Sequence, residues 1–97
     1  MVQGAPDFSV VLNPNAKGVT PAIVTTVQEV IPPDKLFLTS DVSDNPRLAE
    51  QFLKQGVEKI FVGGGDGTIV SFVNALLSVS RELGGLEIPK VGVMRLG

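Results

Sequence analysis

An α/β fold on a parallel sheet is what the sequence predicts, and three observations carry it. Short apolar runs alternate with longer amphipathic ones in the order strand, helix, strand, helix, strand, helix, strand, and this alternation calls for right-handed crossovers with helices on both faces of a sheet. The third apolar run, 59–62, is too uniformly apolar for a sheet with one wet face. Turn-forming residues follow each of the first three strands, and in parallel sheets ligands bind beyond those carboxyl ends. The expected architecture is therefore three-layer α/β/α with a four-stranded parallel sheet in the order 2-1-3-4. That order brings the loops at Asn13 and Gly63 together over one crevice.

The elements follow in sequence. Phe8, Ser9, Val10, Val11 and Leu12 make the first strand, stopped by Asn13, Pro14 and Asn15. Thr20 followed by Pro21 reads as a cap with proline at the first helical position, and Ile23, Val27 and Val30 or Ile31 recur at helical spacing until Pro32 and Pro33. Lys35, Leu36, Phe37, Leu38 and Thr39 predict the second strand, with Ser40, Asp41, Ser43 and Asp44 as loop. Asn45 and Pro46 repeat the cap signal. Leu48, Phe52 and Leu53 then supply a buried face, and Gly56 suits the residue past the helix end. After the third strand a helix is expected from Thr68, with Ile69, Phe72, Val73, Leu76 and Leu77 apolar and Ser71, Asn74, Ser78 and Arg81 on a polar stripe. Gly84 and Gly85 end it, and Lys90, Val91, Gly92, Val93 and Met94 form the fourth strand.

Composition narrows the chemistry. The 97 residues make one domain or a piece of one, and 43% hydrophobic content supports a core. A net charge of −2 gives no basic footprint for nucleic acid or an anionic membrane surface. The sequence has neither cysteine nor histidine, which removes thiol nucleophiles, imidazole bases and nearly all zinc chemistry. Carboxylates, hydroxyls, backbone N–H groups or a bound metal remain. With no signal peptide and no apolar run of membrane-spanning length, a soluble cytoplasmic protein is expected.

The chemistry gathers at Gly63, Gly64, Gly65, Asp66, Gly67 and Thr68, between the third strand and the third helix. Glycine tolerates positive φ and lets another group approach the backbone closely. Exposed N–H groups at the positive end of a helix make a pocket for an anion, typically phosphate. Asp66 would repel a bare phosphate, so a cation between them is implied, and with it a metal–nucleotide complex. The loop is not a Walker A motif, for no Gly-Lys-Ser/Thr follows, and it does not fit the dinucleotide fingerprint. Asn13 with Pro14 either ends its strand or contacts the nucleotide, and its place at the same sheet edge favours contact. Thr39 is either a strand-end residue or a hydroxyl ligand. Thr68 caps its helix, binds phosphate, or does both. Lys17 is read as solvated, and Asn74 faces either the site or a neighbouring backbone.

These residues also carry a family resemblance. Gly64-Gly65-Asp66-Gly67-Thr68 followed by Val73-Asn74-Ala75-Leu76, with Leu12-Asn13-Pro14 upstream, Thr39 between and 91–97 downstream, resembles the diacylglycerol kinase catalytic domain from about Phe8 onward. That family includes sphingosine kinases and bacterial lipid kinases, within a superfamily shared with NAD kinases and phosphofructokinases. The resemblance implies transfer of the ATP γ-phosphoryl group to a lipid hydroxyl with Mg²⁺. Gly64, Gly65, Asp66, Gly67 and Thr68 would cradle the phosphates, and Asn13, Pro14 and Thr39 would contact the nucleotide. Asp66 would be the catalytic residue near the transferred phosphoryl group, its carboxylate organising Mg²⁺ or assisting deprotonation of the acceptor. An NAD-kinase-like phosphotransferase and a non-catalytic nucleotide-binding or assembly module are the alternatives.

Three departures from the family pattern accompany the resemblance. Ser71 stands where members commonly carry Glu, which would complete a capping box with Thr68, and Arg95 stands where proline is usual. The chain also stops at Gly97, where the family continues into a β-rich domain. The expectation is thus a truncated nucleotide-binding domain, inactive by itself, with membrane contact peripheral and through the second domain. Apolar surface left bare by that domain is expected to favour self-association.

Overall fold

The computed structural model describes residues 8–94. Four strands, β1 (Phe8–Leu12), β2 (Leu36–Leu38), β3 (Lys59–Gly63) and β4 (Lys90–Met94), form one parallel sheet in the order β2-β1-β3-β4. Three helices connect them: α1 (Pro21–Val30), α2 (Asn45–Gln55) and α3 (Asp66–Glu82). The direction of travel reverses after β2, so right-handed crossovers put α1 on one face and α2 with α3 on the other. The three-layer architecture and the 2-1-3-4 order expected from the sequence are both present.

Local chemistry explains the helix ends. Thr20 caps α1 by accepting from Ile23 N–H at 3.2 Å, with Pro21 in the first turn where its missing N–H costs nothing. The β-branched run in α1 is accommodated with Thr25 and Thr26 donating to the carbonyls of Pro21 and Ala22 four residues back. Gly56 closes α2 at φ 72, a left-handed conformation that would strain other residues. Two short 3-10 turns, Pro33–Lys35 and Val42–Asp44, were not expected, and the first takes Lys35 from the predicted second strand, which runs only Leu36–Leu38 and leaves Thr39 just past its end.

The main core lies between the sheet and the α2–α3 layer. Val11, Ile60 and Val62 meet Leu48, Phe52, Phe72, Leu76 and Val79, all buried. Phe52 joins the layers, with its ring 5.0 Å from Phe37 and 6.1 Å from Phe72. Truncating a buried Phe of this kind costs about 3–5 kcal/mol. Asn45 differs from its expected capping role: it is the first residue of α2, buried, with Asp44 before it as the boundary residue. Leu77 is 47% exposed rather than core, because Ala75 and Val79 take the inward positions of α3.

The opposite face is unevenly covered. Val10 and Leu12 are buried there, with Val27 of α1, but Phe61 is 36% exposed. The expectation that β3 is covered on both sides therefore fails at Phe61, which lies to the β4 side where α1 does not extend. Its ring packs instead over Gly92 on β4, where an added Cβ would come within 2.8 Å of it. Gly92→Ala is expected to displace that ring and lower the melting temperature by several degrees, about 1 kcal/mol in a domain of this size; a thermal melt followed by circular dichroism checks it. Among the described residues no helix is long and apolar enough to cross a membrane.

Candidate functional site

Strand register builds the site. Leu12 is aligned with Leu38 on one side and with Gly63 on the other, so the next residues, Asn13, Thr39 and Gly64, leave the sheet side by side. Two backbone bonds continue the alignment: Asn13 N–H donates to Gly63 at 3.1 Å, and Thr39 N–H donates to Leu12 at 3.0 Å. With one strand between them, Thr39 and Gly64 stand about 10 Å apart. The fold thus brings the expected residues of three separate loops to one edge.

The glycine loop is shaped by its own backbone. Gly64 has φ +147, and a Cβ there would lie 3.0 Å from Thr68 Cβ and Oγ1. No other residue type fits both the dihedral and the space. Gly65 and Gly67 face nothing: an added Cβ would meet no atom within 4 Å. Their bareness serves no packing need inside the fold. The helix begins earlier than periodicity indicated, at Asp66 rather than Thr68, with Gly65 as the residue before it. Thr68 and Ile69 N–H groups return to the Gly65 carbonyl at 3.0 and 3.2 Å. The first N–H groups, of Asp66 and Gly67, have no intrahelical acceptor. Asp66 is exposed in the first turn.

Side chains tie the loops together. Asn13 Nδ2 donates to Thr68 Oγ1 at 3.2 Å, while Asn13 Oδ1 accepts from Asn15 N–H at 3.0 Å. Asn15 in turn donates to the Ser40 carbonyl at 3.4 Å. Thr39 is 4% exposed just past the end of β2. Pro14 is half-buried beside Asn13, and Lys17 and Asn74 are exposed, which agrees with the solvated reading of Lys17 and removes Asn74 from the buried part of the crevice. Arg95 lies outside the described residues.

Asp44 organises the loop after β2. Its Oδ2 accepts from Ser40 N–H at 2.9 Å, Ser40 Oγ at 3.1 Å and Asp41 N–H at 3.2 Å. The Ser40 and Asp41 N–H groups hold its carboxyl below the usual aspartate range, with a smaller contribution from Arg47 at 3.7 Å. A lowered folded-state value means that ionised Asp44 stabilises the fold above the unfolded-state value, and that this contribution disappears as pH falls through the folded one. Asp44→Asn is therefore expected to melt earlier than the parent at neutral pH. Melts repeated at successively lower pH should show the gap closing below the ordinary aspartate range.

Neither Asn45 nor Ser71 was expected to join this arrangement, yet Asn45 Nδ2 donates to Ser71 Oγ at 2.9 Å. The signal that could have found the pair is an amide at a position whose helical face is otherwise apolar. Away from the crevice, a cavity of about 320 Å³ lies among residues 56–59 and 87–90, at the amino ends of β3 and β4. It is the wrong end of a parallel sheet for a ligand site, and the loops described above do not reach it.

Comparison with known proteins agrees with the sequence resemblance. No curated protein matches the chain. The family model described as "Diacylglycerol kinase catalytic domain" matches residues 7–97, which takes in all four strands and each loop of the crevice. The chain belongs to the diacylglycerol kinase catalytic domain family.

Proposed function

We propose that the crevice binds Mg-ATP and that the full-length protein transfers its γ-phosphoryl group to a lipid hydroxyl of diacylglycerol type. Family membership supports a kinase-like catalytic domain. The observation that carries the nucleotide reading is the bare face of Gly65 and Gly67 at the start of α3, on the same sheet edge as Asn13 and Thr39. Phosphate oxygens would take the N–H groups of Asp66 and Gly67 and the hydroxyl hydrogen of Thr68, whose oxygen already accepts from Asn13. Asn13, Pro14 and Thr39 would line the nucleotide's path across β1 toward β2.

In the reaction, the acceptor hydroxyl oxygen attacks the γ-phosphorus, the bond to the β,γ-bridging oxygen breaks with its electron pair leaving on ADP, and the hydroxyl proton passes to solvent water. Such transfers depend mainly on positioning and charge neutralisation. Among the described residues no group of three or more acids is placed to hold a metal, so Mg²⁺ would be held by Asp66 together with the phosphates. Bound there, it would neutralise charge on the transferring group. Asp66 is thereby assigned to metal organisation.

As 97 residues alone, the chain is proposed to bind Mg-ATP weakly without turnover. The acceptor distinguishes this reading from an NAD-kinase-like one. Full-length protein given labelled ATP with diacylglycerol vesicles or with NAD⁺ should label the lipid; labelled NAD⁺ would support the alternative. Nucleotide binding with neither product labelled would leave only the non-catalytic module.

A further inference from the structure

Asn45 is 3% exposed in the first turn of α2, yet it makes no cap on its own helix. A buried amide at such a position ordinarily satisfies nearby helical N–H groups. Here its Nδ2 crosses to Ser71 Oγ in α3. Ser71 follows Thr68 by three residues, which puts both hydroxyls on one face of the helix. Thr68 is held in the same manner by Asn13 Nδ2. The first two turns of α3 are thus gripped by two amides, one from the loop after β1 and one from the element that follows β2.

The second grip reaches the candidate nucleotide contacts through a short, well-bonded path. From Asn45 the chain runs back through the turn fixed by Asp44, Ser40 and Asp41 to Thr39. We propose that Asn45 and Ser71 are a positioning pair, which sets the distance between the Thr39 hydroxyl and the phosphate end of the crevice. The pair deepens the Mg-ATP reading above and rests on it. Neither residue touches the nucleotide. Ser71 Oγ is the acceptor for the Asn45 amide.

The test measures Mg-ATP affinity of the 97-residue chain by titration calorimetry alongside its thermal unfolding. Ser71→Ala and Asn45→Ala should each weaken binding by about three- to tenfold, the range expected for one hydrogen bond. The double variant should bind no more weakly than the weaker single one, and Ser71→Thr, which keeps the hydroxyl, should return within about twofold of the parent. Should Asn45→Ala not fold, the Ser71→Ala and Ser71→Thr comparison decides alone. Lower melting temperatures with affinity unchanged would overturn the proposal and leave the pair a packing contact. A parent chain that binds no Mg-ATP would instead overturn the nucleotide reading, and the positioning role with it.

Discussion

Replacing Gly64 with alanine is expected to lower stability by about 1–3 kcal/mol, a fall in melting temperature of order 10 °C, and to remove nucleotide binding with it. Two independent costs combine at this position. The first is the backbone, because φ +147 belongs to a region that side chains rarely adopt. The second is contact, because the new methyl would lie 3.0 Å from the Cβ of Thr68, an atom fixed to the helix backbone and unable to swing aside. Relief requires moving the first turn of α3, which breaks the bond from Asn13 to Thr68. Gly65→Ala and Gly67→Ala provide the contrast. Neither meets an atom within 4 Å, and alanine within a helix is favoured over glycine by about 1 kcal/mol. Gly67→Ala should therefore melt no earlier than the parent while losing affinity for Mg-ATP, since its methyl occupies the space assigned to phosphate. Unfolding and binding measured on the three variants separate the glycine that the fold needs from those that the ligand needs.

Asp66→Ala is expected to weaken Mg-ATP binding by about ten- to a hundredfold, the range for losing one charge-assisted contact. Its effect on the fold should be small: an acid in the first turn of a helix contributes about 0.3–1 kcal/mol. The sign of a second measurement is more telling than the size of the first. With magnesium chelated, the carboxylate faces the phosphates without a cation between them and repels them. Asp66→Ala should then bind metal-free ATP more tightly than the parent does. An aspartate acting only on the acceptor hydroxyl would not give this reversal, so calorimetric titrations with Mg-ATP and with ATP in chelator distinguish the two roles.

Much of the arrangement was legible in the sequence. Alternating strand and helix patterns fix the parallel sheet, and the glycine loop's place after β3 selects the order that brings it beside Asn13. What the residues did not reveal follows from tertiary context. Periodicity locates a helix by its apolar residues, which begin at Ile69, so the reading starts α3 at Thr68, misses Asp66 and Gly67 in its first turn and leaves Asp66 in a loop. Asn45 and Pro46 carry a strong cap signal, but Asp41 and Asp44 compete for the same role and form a capping box on the preceding turn. That competition frees the Asn45 amide to reach Ser71. Phe61 and Leu77 read as core because apolar character indicates a buried face only where another element covers it.

The central claim is that the loops after β1, β2 and β3 form one Mg-ATP site, and amide chemical shifts of the isotopically labelled chain during a Mg-ATP titration test it most directly. Shifts should concentrate at residues 64–68, Asn13 and Thr39, saturate together with one affinity, and vanish in Asp66→Ala at the same nucleotide concentration. Saturable shifts centred on residues 56–59 and 87–90, or no saturable shifts at all, would contradict it.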